Sequence, residues 1–387
     1  MNRRSLLTGA AAVSGAAFLS AFERLLAAGN PSSLPVARRR MLQVNGYAVD
    51  AETPLDALTP YLTPNDLFFV RHHWVPQLPD KNAWKLTVDG DVERPLQLAL
   101  ADLRKLPKAS VTSVLQCAGN GRGLFKPYIP GVQWTAGAVG NARWTGARVK
   151  DVLAKAGLKG GARHLHTFGS DKPPEKVPPF HRSLEIEKVL EDGIIAYEMN
   201  GEPLPDVHGA TARLVVPGWA GDHWMKWLTR IGSRPEAQKG FYMDVAYRFP
   251  KKPGEPGIAF KPEEMSPVTE LPVKSSITTY PEKTKAGAPA VVTGFAFSGA
   301  GEIAKVDVSD DDGATWKPAV LGKDHDRFAW RLWSHSFTPA AAGRVRLLAR
   351  ATDSRGGVQP REAVWNQSGY FHSAWPAVEI EVIEVAS

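Results

Sequence analysis

The chain has 387 residues, 43% of them hydrophobic and 22% charged, which is the composition of a globular protein and a length that fits two domains. Its net charge of +7 favours anionic ligands or acidic protein partners, but no dense Lys/Arg tract follows Arg38-Arg39-Arg40, so nothing indicates nucleic-acid binding. The single cysteine, Cys117, excludes an intramolecular disulfide, a cysteine-held iron–sulfur cluster and a covalently attached c-type haem.

The N-terminal residues have the pattern of an export signal. Arg3 and Arg4 precede an apolar run of mostly small residues from Leu6 to Leu19, which is typical of a twin-arginine signal. We therefore predict a signal peptide over residues 1–29 and export of the folded protein to the periplasm. The run is too short to span a bilayer and no other segment is apolar enough, so we expect no membrane span after signal removal. An amphipathic terminal helix is the alternative interpretation.

Residues 30–255 are predicted to form the first domain, built from short strands and helices. A strand is expected in the front half of Leu67 to Trp74, which ends in the cluster Arg71-His72-His73. Alternation would place Arg71 and His73 on one face, where they could bind an oxyanion or form a solvated rim. Residue pattern and spacing predict further strands at 85–88, 96–98, 110–116, 162–168, 194–198 and 212–216, and helices at 100–106, 148–156 and 183–190.

The single cysteine lies where a predicted strand meets a glycine-rich turn. Cys117 follows a run rich in β-branched residues from Ser110 to Gln116, and Arg122 comes five residues later. A nearby cation lowers the pKa of a thiol, and the thiolate is the form that binds soft metals or attacks carbon. The alternative is a small buried side chain without chemistry, which is the usual state of a free cysteine.

The C-terminal part of the chain has the pattern of a β-sandwich. From Lys251 to Pro272 the composition shifts to Pro, Gly, Lys and Glu, which predicts a linker over residues 256–272. Asp311-Asp312-Gly313 predicts a hairpin turn, and short strands recur at even spacing at 291–297, 303–309, 315–321, 328–337, 344–352 and 378–385. Residues 273–387 are therefore predicted to be an immunoglobulin-like domain, and the fold class is α+β, mostly β.

Several motifs, in order along nearly the whole mature chain, resemble the sulfite oxidase family of molybdenum enzymes. They are Phe68-Phe69-Val70-Arg71-His72, Leu115-Gln116-Cys117-Ala118-Gly119-Asn120, the segment from Ala196 to Pro205, the segment from His208 to Gly218, and Met225-Lys226-Trp227. The resemblance implies a sulfite-oxidase-type molybdopterin domain followed by an immunoglobulin-like dimerisation domain. It also implies a molybdenum–molybdopterin cofactor, with Cys117 as the thiolate ligand of the metal.

The resemblance further implies which residues act on the substrate and which hold the pterin. Tyr197 would be the active-site tyrosine, Arg71, Arg122 and a protonated His73 would bind the oxyanion, and Trp134 would form a pocket wall. The pterin would be bound by a larger set, namely Phe68, Phe69, Val70, Arg71, His72, Asp171, His208, Arg213, Trp224, Met225 and Lys226. Animal members carry a second arginine where Gly121 stands here, so that part of the family pattern is missing.

The export signal and the lack of a haem motif resemble the bacterial periplasmic sulfite dehydrogenases, so the implied activity is oxidation of sulfite to sulfate, with electrons passed to a separate cytochrome c. No haem is expected in this chain, and a homodimer or a complex with a cytochrome subunit is implied. Two sister activities remain open: a sulfane dehydrogenase-type subunit acting on carrier-bound sulfur, and a sulfoxide reductase. A non-enzymatic periplasmic binding protein would leave Tyr197 and Cys117 without roles.

Overall fold

The computed structural model describes residues 41–45, 50–74, 78 and 80–384. The predicted signal peptide and the residues up to 40 lie outside the described residues. Within the described part of the chain, no helix is long and apolar enough to cross a membrane.

Short strands dominate the described residues, as the predicted fold class requires. The three α-helices found there are α1 (Leu100–Arg104), α2 (Val149–Ala156) and α3 (Ile186–Asp192). The strands are β1 (Leu42–Asn45), β2 (Asp50–Glu52), β3 (Lys85–Gly90), β4 (Leu96–Ala99), β5 (Lys108–Gln116), β6 (Val139–Arg148), β7 (His164–Gly169), β8 (His181–Glu185), β9 (Ile194–Met199), β10 (Glu202–Pro203), β11 (Arg213–Val215), β12 (Leu228–Arg234), β13 (Arg248–Pro250), β14 (Met265–Pro267), β15 (Lys274–Thr279), β16 (Lys283–Lys285), β17 (Ala290–Phe297), β18 (Ile303–Ser309), β19 (Lys317–Pro318), β20 (Val320–Leu321), β21 (Arg331–Phe337), β22 (Gly343–Asp353) and β23 (Ala377–Ile383).

Two five-stranded sheets form the first unit. One has the order β10-β9-β6-β5, with β11 also paired to β9, and the other has the order β4-β3-β12-β7-β8. Strands β5 and β6 pair along their whole length, from Lys108 opposite Ala147 to Gln116 opposite Val139. This long ladder fixes the position of the residue that follows β5, which is Cys117.

Helix α2 shows how the apolar spacing positions a helix on this unit. Its buried residues Val149, Val152, Leu153 and Ala156 lie on one face, because residues three and four apart share a face of an α-helix. The helix ends at Gly157, whose φ of 74° lies in the left-handed region that glycine adopts without a Cβ clash. The predicted helix and its glycine stop are therefore confirmed.

The C-terminal unit is a β-sandwich, as predicted. Its two sheets have the orders β15-β17-β21-β20 and β16-β23-β22-β18-β19, and side chains such as Val292, Val306, Leu347 and Ile380 are fully buried in the core that they enclose. The turn at 311–313 connects β18 and β19, with positive φ values of 56° at Asp312 and 90° at Gly313.

The two units share an apolar cluster directly behind the residues that follow β5. Phe295, Phe297 and Trp330 of the sandwich pack with Val114 and Ala118 of the first unit in this cluster. Backbone hydrogen bonds cross the same boundary, from the Val114 N–H to the Phe328 carbonyl at 2.8 Å and from the Phe371 N–H to the Ala118 carbonyl at 2.9 Å. The sandwich thus supports the backbone on both sides of Cys117.

Two element predictions were wrong, and the ten-residue strand β6 was not predicted. The strand expected in the front half of residues 67–74 does not form: residues 65–67 are a turn, and beyond it only Val70 makes a β-bridge, to Ala51. Phe68 and Phe69 are both buried, so burial does not alternate along this segment as it would in a half-buried strand. The predicted helix at 183–190 begins as strand β8, which pairs with β7, and becomes helical only at Ile186. Strand β6 was missed because its small residues and glycines have low β propensity. Its Gly140 is required because a Cβ there would lie 2.5 Å from the Phe68 ring.

Candidate active site

A cavity lies in the first unit, with Cys117 on its wall. Its walls come from loops at the ends of strands in both sheets and from the segment that leads towards the sandwich. Most of the residues that the resemblance implicated line it, namely Phe69, Val70, Arg71, His72, His73, Cys117, Asp171, His208, Arg213, Trp224, Met225 and Lys226. The structure therefore brings together residues that are separated by up to 157 positions in the sequence, between Phe69 and Lys226.

The thiol of Cys117 is held by the turn that follows it. The Cys117 N–H donates to the Ala138 carbonyl at 3.0 Å, and the Cys117 carbonyl accepts from the Asn120 N–H at 3.0 Å. Burial raises the pKa of the thiol, while Arg71, the Gly119 N–H and Arg122 act in the opposite direction. The two arginines lower this pKa, as expected from the sequence, but burial has the larger effect and the net shift is upwards. A bound metal ion would reverse the balance, since coordination deprotonates a thiol.

Arg71 is the cation with the largest electrostatic effect on the thiol. Its guanidinium donates to the buried carboxylate of Asp50 at 3.3 Å and to the backbone carbonyl of His72. Asp50 also accepts from the His72 N–H at 3.0 Å, so it fixes both the side chain and the backbone of this segment. Burial, the largest single effect, acts to lower the pKa of Arg71, but Asp50 together with Tyr247, Cys117 and Tyr242 outweighs it and the net shift is upwards. Arg71 therefore presents a permanent positive charge to the cavity.

His73 and Tyr247 form a hydrogen-bonded pair on the same wall. His73 Nε2 lies 2.9 Å from the Tyr247 hydroxyl, and the imidazole stacks on Phe180 at 4.1 Å between ring centroids. Burial and the positive charge of Arg71 lower the pKa of His73 well below its ordinary value, so the ring is neutral near pH 7. The implied protonated state of His73 is therefore not the resting state of this cavity. Burial also raises the pKa of Tyr247, which keeps its phenol protonated.

Two further cations, Arg213 and Lys226, line the cavity. Arg213 is fully enclosed and donates to the carbonyls of His208 at 2.9 Å and Trp224 at 3.1 Å. Lys226 donates to the Arg71 carbonyl at 2.8 Å. Burial lowers the pKa of Arg213 to about 9 and lowers the pKa of Lys226 well below its usual range, with Arg213 adding to the effect at Lys226. Buried cations at this density require a compensating anion.

The donor set fits an anionic, pterin-like cofactor. His72 Nδ1 and Arg213 Nε are buried and make no hydrogen bond within the protein, although both belong to residues that line the cavity. Asp171 lines it too, and burial raises the pKa of its carboxyl while Lys226 lowers it. Buried donors and acceptors of this kind need a partner. A group that carries a phosphate and polar ring edges would supply partners to the cations and to the unpaired ring nitrogen.

Four residues that the resemblance implicated do not line the cavity. Phe68 is buried just behind it, with its ring 5.5 Å from that of His208. Trp134 is fully buried in the apolar core. Arg122 donates to the carbonyls of Ser368 at 2.8 Å and Val132 at 3.0 Å, so the hydrogen bonds observed for its guanidinium go to the backbone.

Tyr197 is the most informative of these four. Its side chain is 4% exposed and lies under the guanidinium of Arg104, 5.5 Å from the ring centre, away from the cavity. The tyrosine that the structure places in the cavity is Tyr247, which the sequence argument missed. No motif or spacing singles out Tyr247, because it reaches the cavity only through the tertiary fold. Asp222 and Phe180 were missed for the same reason, whereas Trp227 stands in the motif Met225-Lys226-Trp227 but was given no role.

Comparison with known proteins identifies both units. The family model described as "Oxidoreductase molybdopterin binding domain" matches residues 72–242, and that described as "Mo-co oxidoreductase dimerisation domain" matches residues 265–383. Mitochondrial sulfite oxidase of Rattus norvegicus is 35% identical over 380 residues, covering 92% of this chain and 69% of the relative. Sulfite oxidase of Gallus gallus is 36% identical, covering 85% and 77% respectively. Sulfite oxidase of Arabidopsis thaliana is 34% identical, covering 88% and 94%.

One solved structure is similar over almost the whole chain. The sulfane dehydrogenase SoxCD from Paracoccus pantotrophus matches with a TM-score of 0.78 and 28% identity, covering 92% of this chain and 94% of that one. The chain spans about two thirds of the length of the mammalian relatives, with values of 69% for rat and 66% for human.

Proposed function

This chain belongs to the sulfite oxidase family of molybdenum-cofactor oxidoreductases, and we propose that it oxidises sulfite to sulfate in the cavity around Cys117. One observation carries the proposal: a single cavity holds a half-buried thiol, a permanently charged arginine and a hydrogen-bonded His–Tyr pair. The thiol suits a soft metal, and the arginine suits an oxyanion substrate. The reaction consumes water and releases two electrons and two protons for each sulfite.

The residues proposed to hold the cofactor form the cationic half of the cavity. Arg213 and Lys226 would neutralise its phosphate, and His72 and Asp171 would bond its polar ring edges. Cys117 would be the protein ligand of the molybdenum. When bound, the cofactor supplies the two-electron oxidation and the oxygen transfer, because no side chain in the cavity can do either.

The remaining polar residues of the cavity would bind and orient the substrate. Arg71, held by Asp50, would form charge-assisted hydrogen bonds with sulfite oxygens and fix the anion near Cys117. The Tyr247 hydroxyl would donate a further hydrogen bond, and His73 would hold that hydroxyl in place through the 2.9 Å contact. The aromatic wall formed by Phe180 and Trp227 would exclude water, which strengthens these electrostatic contacts.

The cellular setting is part of the same proposal. The twin-arginine pattern before residue 30 supports export to the periplasm, and the absence of a cysteine pair for haem attachment in the sequence supports a separate cytochrome c as electron acceptor. The match of residues 265–383 to a dimerisation domain supports a homodimer. We keep the proposed domain limits of 30–255 for the catalytic domain, 256–272 for the linker and 273–387 for the sandwich.

Oxidation of carrier-bound sulfur is the second candidate, because the similarity to SoxCD covers almost the whole of both chains. The two activities differ in substrate size. Initial rates of cytochrome c reduction should be measured with free sulfite and with a peptide that carries a cysteine persulfide. Saturation by sulfite at micromolar concentration, without turnover of the persulfide, is expected for the first activity. Turnover of the persulfide alone would establish the second and refute the sulfite assignment.

A further inference from the structure

A buried ion pair lies beside the cavity and takes no part in the proposed chemistry. Arg182 on β8 donates to Asp222 at 2.7 Å, and the side chains of the two residues are 0% and 1% exposed. Asp222 lines the cavity, whereas Arg182 lies behind it. Burying two charges costs several kcal/mol per ion before their attraction is counted, so such pairs are weak sources of stability. Their fixed geometry makes them suitable for positioning a neighbour.

Arg182 contacts Tyr247 directly. Its guanidinium lies over the Tyr247 ring, 5.3 Å from the ring centre, which is within range of a cation–π interaction. The same guanidinium donates to the backbone carbonyl of Tyr242, five residues earlier on the same segment. Arg182 therefore connects the loop at 221–223 with the segment that carries Tyr247 into the cavity.

Tyr247 needs such support because its backbone is in an unfavourable conformation. Its φ is 55°, in the left-handed region that a bulky side chain rarely adopts and that costs about 1 kcal/mol or more. Its ring stacks on Tyr370 at 5.3 Å and 8°, and its N–H donates to the Tyr370 hydroxyl at 3.3 Å. A strained residue keeps its position only where several neighbours hold it, and Arg182 is the charged one among them.

We propose that Arg182, oriented by Asp222, is a positioning residue that holds the Tyr247 ring so that its hydroxyl stays on His73. Neither member of the pair touches the substrate in this account. The consequence for turnover rests on the proposed function, but the consequence for the position of Tyr247 does not. The inference can therefore be tested in two independent ways.

The first test observes Tyr247 without any substrate. The protein is labelled with 3-fluorotyrosine, and the ¹⁹F resonance of Tyr247 is assigned as the one that disappears in Tyr247→Phe. In Arg182→Lys, which keeps the charge but loses the planar fork, we expect this resonance to shift and broaden. The resonance of Tyr128, which is 69% exposed, should not change. An unchanged Tyr247 resonance would overturn the proposal, whatever the protein oxidises.

A control pair of the same residue types, but partly exposed, exists elsewhere in the first unit. Arg230 donates to Asp89 at 2.7 Å and lies over the Phe168 ring at 4.8 Å, so it repeats the arginine–aspartate–aromatic arrangement away from the tyrosine. Arg230→Met should leave the Tyr247 resonance unchanged. A shift of equal size in this variant would show that the change of the Tyr247 resonance in Arg182→Lys comes from a general loosening of the fold, and the positioning role would be rejected.

The second test is a double-mutant cycle on sulfite turnover. Arg182→Met combined with Asp222→Asn removes both charges, so no uncompensated ion remains in the core. If the pair acts through Tyr247, this double variant should lower kcat about tenfold with KM changed less than about threefold, and adding Tyr247→Phe should cause little further loss. If the loss of kcat in the double variant and the loss in Tyr247→Phe multiply when the changes are combined, the pair acts independently of Tyr247 and the proposal is rejected. If the wild-type protein does not turn over sulfite, the fluorine experiment alone decides.

Discussion

Tyr247 and Tyr197 are both candidates for the active-site tyrosine, and substituting each by phenylalanine tests which of them acts on the substrate. Tyr247→Phe removes one hydroxyl, whose structural partner is His73 Nε2 at 2.9 Å, and leaves the stack on Tyr370 intact. Tyr197→Phe removes a hydroxyl on a ring that lies under Arg104, outside the cavity. Both changes preserve the ring, so packing is matched between the two variants.

The expected magnitudes follow from the contacts that each hydroxyl makes. A hydrogen bond to a charged oxygen contributes roughly 1.5–3 kcal/mol, which corresponds to a roughly 10- to 150-fold loss of kcat/KM in Tyr247→Phe. Loss of the bond to His73 should also lower the free energy of unfolding by about 1 kcal/mol. Tyr197→Phe should change kcat/KM by less than about twofold, because its hydroxyl does not reach the cavity.

The assay is initial-rate sulfite-dependent reduction of cytochrome c, with rates normalised to molybdenum content so that incomplete loading is not counted as lost chemistry. Denaturant unfolding of both variants supplies the stability comparison. The reasoning is refuted if Tyr197→Phe loses activity while Tyr247→Phe keeps the wild-type kcat/KM. That result would restore the assignment that the sequence resemblance implied.

Three further predictions concern ionisable residues. Arg71→Met should raise KM for sulfite by roughly two orders of magnitude with a smaller effect on kcat, since Arg71 binds the anion in this account; an unchanged KM would remove it from the substrate site. Asp50→Ala should lower the free energy of unfolding by about 3 kcal/mol, because a buried carboxylate paired to Arg71 and bonded to the His72 N–H is lost, and chemical denaturation at pH 7 measures this. Burial and Lys274 lower the pKa of His372 to about 4, so the folded state resists protonation of this residue below the unfolded value near 6.5. The contribution of neutral His372 to the free energy of unfolding is therefore complete above about pH 6.5 and is lost as the pH falls towards 4, by up to about 3 kcal/mol. His372→Asn should flatten this part of the curve of unfolding free energy against pH. An equally steep curve in the variant would contradict this prediction.

The sequence predicted the parts of the site that chain continuity fixes. Cys117 could be placed because a β-rich run ends directly before it, and β5 does end at Gln116. The cationic residues Arg71, Arg213 and Lys226 could be named from the resemblance, and all three line the cavity. Local pattern and family resemblance are sufficient where the functional residue is adjacent to a recognisable element.

The assignment of Tyr197 shows where a specific motif misleads. The segment from Ala196 to Pro205 is highly specific, yet its contacts explain that specificity structurally. Asn200 has a φ of 55°, accepts from the Arg143 N–H at 2.9 Å and donates to the Thr63 carbonyl at 2.9 Å, so it fixes the turn after β9. A residue pattern can thus be required by a turn rather than by chemistry.

The remaining site residues could not be predicted because tertiary contacts determine them. Tyr247 follows a short π-helix at Phe241–Val245, and no periodicity or spacing relates it to His73, which lies 174 positions earlier. The same holds for the protonation of His73 and of the Cys117 thiol. Nearby charges can be read from a sequence, but the extent of burial, which dominates both shifts, cannot.

The measurement that tests the central claim most directly is the molybdenum content of wild-type protein and of Cys117→Ser, both produced in the native host, together with the rate of sulfite-dependent cytochrome c reduction. We expect molybdenum near one atom per chain and rapid turnover in the wild type, and no turnover in Cys117→Ser. Wild-type protein without molybdenum, or Cys117→Ser with the wild-type rate, would contradict the assignment of this cavity as the molybdenum site.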